Sequence, residues 1–202
     1  MKLLFTGASG FLGSNVRPLL EGMYGVKTVG LSPKDDYTID IAKEIPVLRE
    51  RYDIVLHVAG KAHSVPKTEA ERQVFFDVNL QGTKNLCTAL ERRRVPRAFI
   101  FISTVAVYGC AYGENITEDH PLDGDTPYAM SKRLAEEYLQ KWCYEHNVIL
   151  GIIRPSLIAG PNPPGNLGAM IHGIRSGKYL SIAGGQARKS VLMVQDLSLI
   201  HI

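Results

Sequence analysis

The chain has 202 residues, 45% of them hydrophobic and 21% charged. That is the balance of a globular protein with one sizeable core, which excludes a disordered segment or a fibre. A net charge of +3, small and dispersed, excludes a nucleic-acid partner.

The densest basic run, Arg92-Arg93-Arg94, falls where a helix should end, and cations there complement the helix dipole. Cys87, Cys110 and Cys143 have no paired spacing, which argues against a disulfide framework or a zinc site and for a reducing compartment. The sequence shows no signal-peptide pattern and no apolar stretch near the ~20 residues of a membrane span. The expectation is a cytoplasmic protein without a membrane partner.

Lys2-Leu3-Leu4-Phe5 opens a strand predicted over 2–6, and a helix is predicted over 11–21. Between them runs Thr6-Gly7-Ala8-Ser9-Gly10-Phe11-Leu12-Gly13. A Gly-x-x-Gly-x-x-Gly loop between strand and helix has a mechanical reading. Gly7 permits a tight turn, Gly10 lets the backbone approach a pyrophosphate, and Gly13 lets the helix pack close to the strand. The helix start, with Phe11 and Leu12, offers free N–H groups and positive dipole potential to phosphates. This predicts a dinucleotide site.

The second strand is predicted over 27–31. A site of this kind often carries an acid at the end of that strand for the ribose hydroxyls. Here the position falls on Ser32, and Ser32 with Lys34 could instead accept a 2′-phosphate. Asp35 and Asp36 follow closely, so NAD and NADP both stay open as the cofactor. Asp40-Ile41 either borders the adenine or is an ordinary cap followed by a core Ile.

Further strands are predicted over 54–58, 98–103 and 149–154, and helices over 69–93 and 127–146. Apolar strands alternating with helices predict an α/β fold: a doubly wound parallel sheet, the Rossmann fold. The texture changes after about residue 155, at Gly160-Pro161-Asn162-Pro163-Pro164-Gly165. The expected division is a dinucleotide-binding domain over 1–155 and the beginning of a small substrate-binding portion over 156–202.

Tyr128 and Lys132 are four apart at the start of a helix and so share a face. An ammonium near a phenol favours the phenolate and is expected to bring the Tyr128 pKa down towards neutrality. Such a phenol can exchange the proton of a carbinol while hydride moves to or from a nicotinamide. Ser103-Thr104 ends an apolar strand at the sheet edge that faces the ligand crevice, where Thr104 could hold a substrate oxygen. Asn79 puts an amide inside a helical pattern, which is unfavourable unless it is bonded. His57 and His63 have a spacing that fits no compact metal pair, and no metal is expected.

Together these residues resemble the NAD-dependent epimerase/dehydratase family, the extended short-chain dehydrogenases. The likeness rests on the Gly7/Gly10/Gly13 loop, His57-Val58-Ala59-Gly60, Asn79, Ser103-Thr104 with Tyr108-Gly109, Tyr128/Lys132 and Arg154-Pro155. The resemblance implies a catalytic triad of Thr104, Tyr128 and Lys132 with Tyr128 as acid/base. It implies that Val58, Ala59, Gly60 and Asn79 line the cofactor and that Pro155 lies near the nicotinamide. The stretch from Arg154 through Asn166-Leu167 resembles the branch that acts on UDP-sugars at C4. That likeness implies diphosphate contacts from Asn166, Leu167 and either Arg188 or Lys189, a nucleotide-sugar substrate, and a possible homodimer through the helices over 69–93 and 127–146. Val105-Ala106-Val107 after Thr104 lack the carboxylates expected beside the catalytic Thr of a sugar dehydratase. Members of the family usually continue well past residue 202, so the substrate portion is expected to be incomplete.

Overall fold

The computed structural model describes residues 1–62, 64–179 and 188–198. Six strands form a parallel sheet: β1 (Lys2–Thr6), β2 (Gly25–Gly30), β3 (Tyr37–Thr38), β4 (Ile54–His57), β5 (Ala98–Ile102) and β6 (Ile149–Ile153). Their order is β3-β2-β1-β4-β5-β6, as the alternating pattern predicts for a doubly wound sheet. The order reverses at β1, which pairs with β2 on one side and β4 on the other, with Thr6 opposite both Val29 and His57. At such a reversal the connections diverge and leave a crevice beyond the carboxyl ends of the strands.

Helices cover both faces. Leu4, Val29, Val55, Phe99 and Phe101 point to a core shared with α3 (Gly82–Arg93) and α4 (Pro127–Glu145). Leu3, Phe5, Ile54 and Leu56 point the other way, onto α1 (Phe11–Glu21). The alternation of strand side chains sends successive residues to opposite cores, so these strands read as continuous apolar runs.

The helix predicted over 69–93 is interrupted. It comprises α2 (Glu69–Phe76), a π-helical turn over Asp77–Gln81, and α3. Thr68 caps α2 by accepting the Glu71 N–H, and α3 ends at Arg93, as the basic run suggests. Arg93 does more than meet the dipole: it donates to the backbone carbonyls of Leu48 and Arg49.

The remaining described residues form β7 (Leu157–Ala159), α5 (Gly165–Arg175), β8 (Val191–Met193) and α6 (Val194–Ser198). β7 and β8 make a separate two-stranded parallel sheet. Val194 is 1% exposed and joins the α1-side core. No helix among the described residues is long and apolar enough to cross a membrane.

Candidate active site

Five chain segments meet at the carboxyl edge of the sheet. The first is the glycine loop. Gly7 has φ +74°, and a Cβ there would stand 2.6 Å from the Ala59 nitrogen, so only glycine fits the turn where it passes the end of β4. A Cβ on Gly13 would meet the Gly7 carbonyl oxygen at 2.2 Å; the helix packs against its own loop rather than the strand. At Gly10, among the described residues apart from its chain neighbours, a Cβ would meet the Gly7 oxygen alone, at 3.3 Å. The loop is thus crowded on its protein side and open at Gly10, the shape needed for a backbone that cradles a pyrophosphate. Leu12 is buried in the core, so its contribution to a ligand is its backbone N–H.

The second segment follows β4. Val58 N–H donates to the Thr6 carbonyl and Ala59 N–H to Thr6 Oγ1. Thr6 Oγ1 lies 2.6 Å from His57 Nδ1, and His57 Nε2 lies 2.9 Å from Thr83 Oγ1. Thr83 donates its hydroxyl proton to the Asn79 carbonyl, so it accepts from His57 Nε2–H. Nδ1 then accepts from Thr6. Burial holds the imidazole pKa down to about 3, with Lys132 adding to the effect. His57 is a neutral strut with both nitrogens committed, which explains why it ends an apolar strand. His63 lies outside the described residues. Among the described residues no three His, Cys, Asp or Glu side chains are grouped to hold a metal.

The third segment is the π-helical turn. Asn79 is 1% exposed; its Oδ1 accepts from Lys61 N–H, and its Nδ2 donates to the Lys61 carbonyl and to Ser131 Oγ. These bonds make the side chain a clamp that fixes the 60–61 turn against α4. They also explain why an amide sits inside a helical pattern.

The fourth segment supplies Thr104, just beyond β5. Its Oγ1 accepts from Ala106 N–H and caps the short 3-10 helix Val105–Tyr108. Pro155 is buried, and its carbonyl accepts from Val105 N–H, locking this turn to the end of β6.

The fifth is the start of α4, with Thr126 as N-cap and Pro127 in the first turn. It brings Tyr128 close enough to Thr104 for the Thr104 hydroxyl to favour the ionised phenol. Lys132, one turn on, is 3% exposed, with Nζ 4.2 Å from the centre of the Phe101 ring. The expected lowering of the Tyr128 pKa is not found. Burial raises it, and the neighbouring Thr104 hydroxyl only partly opposes this. Burial also weakens the cation meant to cause the lowering: Lys132 falls to about 7, opposed by the charge of Glu136.

Glu136 escaped sequence reasoning. It is 1% exposed, accepts from Ser103 Oγ, and pairs with Arg154 at 2.7 Å. Arg154 also donates to Tyr108 Oη and to the Glu118 carbonyl. This network ties β5, β6 and α4 together directly behind Thr104. The signal was available: Glu136 continues the spacing of four set by Tyr128 and Lys132.

The position assigned to the ribose acid also moves. β2 ends at Gly30, and Ser32 lies in the turn beyond it, its N–H bonded to Asp35 Oδ2. Asp40 Oδ1 accepts from Ala42 N–H while Ile41 packs in the core against Gly82, so the capping reading describes their contacts. Asn166 is exposed and Leu167 half-buried in the first turn of α5, and Arg188 and Lys189 are exposed ahead of β8.

Sheet order, glycine loop and the Thr104–Tyr128–Lys132 group define a dinucleotide-binding α/β protein of the short-chain dehydrogenase type. The model of the NAD dependent epimerase/dehydratase family matches residues 3–202, and the chain belongs to that family. It is 30% identical over 203 residues to the N-acetyl-alpha-D-glucosaminyl-diphospho-ditrans,octacis-undecaprenol 4-epimerase of Escherichia coli O157:H7, covering 96% of this chain and 60% of that protein. It is 29% identical to the UDP-glucose 4-epimerase of Vibrio cholerae, covering 96% of this chain and 63% of that protein. It therefore spans less than two thirds of the length of these relatives. Among solved structures it resembles a dTDP-glucose 4,6-dehydratase from Streptomyces venezuelae with NAD bound. The TM-score is 0.82 at 25% identity, over 98% of this chain and 70% of that one.

Proposed function

We propose that this chain is the cofactor-binding and proton-transfer part of an NAD(P)-dependent 4-epimerase of sugars carried on a diphosphate. The observation that carries the reading is the placing of Tyr128 by the Thr104 hydroxyl, with buried Lys132 one turn away, beside a loop open at Gly10. The bound nicotinamide would supply hydride acceptance and return. The chain supplies the rest. Gly7, Gly10 and Gly13 with the start of α1 hold the pyrophosphate. Thr104 Oγ1 orients the reacting hydroxyl. Tyr128, ionised to the phenolate, takes the carbinol proton and as the phenol gives it back. Burial and the Thr104 hydroxyl determine how readily that phenol ionises, and Lys132 stands one turn away on the same helix.

Epimerisation at C4 is favoured over a one-way reduction because the two relatives described above, each matched over 96% of this chain, are 4-epimerases, one on a UDP-sugar and one on a sugar joined to a lipid diphosphate. Dehydration is disfavoured because Val105 and Ala106, beside Thr104, carry no acid or base. Asn166, Leu167 and Arg188 or Lys189 are proposed to meet the substrate diphosphate. A homodimer through α2, α3 and α4 belongs to the same reading, and sedimentation would reveal it.

The test is incubation with NAD and with UDP-glucose or UDP-N-acetylglucosamine, with the C4 epimers separated chromatographically. Tyr128→Phe should retain cofactor affinity and lose turnover by about a hundredfold or more. Activity within a few-fold of wild type in Tyr128→Phe would reject the mechanism.

A further inference from the structure

The strand that should present an acid to the adenosine ribose ends in a residue with no side chain. Gly30 closes β2, and Gly7 N–H donates to the carbonyl of Val29 immediately before it, so Gly30 adjoins the glycine loop. The space a Gly30 side chain would fill is already taken. A Cβ there would lie 2.5 Å from Asp35 Oδ2, 3.2 Å from Asp35 Cγ and 3.6 Å from Asp35 Oδ1. The carboxyl group of Asp35, delivered from beyond the turn, therefore stands where the side chain of the last strand residue would stand.

It is held there. Ser32 N–H donates to Oδ2 at 3.0 Å, Asp35 N–H closes the turn onto the Ser32 carbonyl, and the residue is 8% exposed. Neighbouring charges cancel in pairs: Lys27 with Asp36 at 2.7 Å and Lys43 with Asp40 at 3.4 Å. Asp35 takes part in neither pair, whereas Lys34 is exposed and its backbone N–H, not its ammonium, engages Ser32.

We infer that Asp35 reads the adenosine ribose in place of a strand-end acid and selects NAD over NADP. A ribose diol donates hydrogen bonds to a carboxylate, whereas a 2′-phosphate brought to the same place sets like charges together. This rests on the cofactor reading above and replaces the alternative in which Ser32 and Lys34 accept a 2′-phosphate.

The experiment titrates the chain with NADH and NADPH by fluorescence, for wild type, Asp35→Asn, Lys34→Ala and Gly10→Val, with circular dichroism to check folding. Wild type should bind NADH at least about tenfold more tightly than NADPH. Asp35→Asn should lose that preference while keeping its NADPH affinity, Lys34→Ala should change neither, and Gly10→Val should lose both. Equal or better binding of NADPH by wild type overturns the inference and leaves the cofactor reading standing. So does an equal loss of both cofactors in Asp35→Asn, which marks a purely structural carboxylate. Binding of neither cofactor by folded wild type overturns both.

Discussion

The region over the six-stranded sheet and the region over β7, α5 and β8 are built on different terms. In the first, all four residues of β4 are buried, and the buried polar side chains include the bonded His57, Asn79 and Glu136. In the second, α5 buries no residue, and Ile174, Val191 and Met193 are 56%, 54% and 46% exposed. Apolar surface left in water contributes no burial free energy. The first region therefore carries the stability of the chain, and with it the geometry of Thr104, Tyr128 and Lys132. The second region is anchored chiefly where Val194 enters the α1-side core.

The sharpest way to break this comparison is Gly13→Val. Its Cβ would sit 2.2 Å from a backbone oxygen, and no side chain can yield to relieve the clash. The expected outcome is loss of a cooperative unfolding transition in calorimetry; a normal transition would show that the loop is far softer than its contacts imply. Next is Glu136→Leu, which strands Arg154 and Ser103 in a buried site. It should cost about 3–5 kcal/mol in denaturant unfolding, and a loss below about 1 kcal/mol would deny the network its role.

A third test uses pH. An unfolded histidine titrates near 6.5, whereas folded His57 stays neutral down to about 3. Within that window the unfolded chain binds a proton that the folded chain refuses. Stability should therefore fall by about 1.4 kcal/mol per pH unit as pH drops from about 6.5 towards 3. Lys132 acts with the same sign at higher pH, from its ordinary 10.5 down to about 7. Denaturant unfolding at about pH 6 and about pH 5 should show the slope in wild type and a shallower one in His57→Gln. Identical slopes would remove His57 from the account.

The smallest effect belongs to the second region: Ile174→Ser should change stability by no more than about 0.5 kcal/mol, because the side chain is already in water. A larger loss would mean that α5 supports the core after all.

Much of the first region was legible in the sequence because its strands face two cores and read as unbroken apolar runs. Gly7 and Gly13 were legible because a loop that crosses the end of β4 and packs on its own helix leaves little choice of residue. What escaped depends on contacts distant in sequence. No local pattern reveals that Glu136 meets Arg154, or that Asp35 folds back onto Gly30. The π-helical turn was hidden inside a helix-forming stretch, with only the unfavourable Asn79 to hint at it. The direction of the Tyr128 shift was misjudged because spacing shows a cation nearby but says nothing about how deeply both groups are buried.

That wide turn also has a genealogical consequence. A π turn holds more residues than an α turn, so Asp77–Gln81 works as a phase shifter between two helices. It lets Phe75 face inward on α2 while Thr83 and Leu86 face inward on α3. Deleting one residue between 77 and 81 would straighten the helix and turn one of these faces outward, taking Asn79 off Lys61. Single-residue length changes should thus be far less tolerable here than in the exposed stretch 111–115, ahead of the Glu118 carbonyl that Arg154 holds.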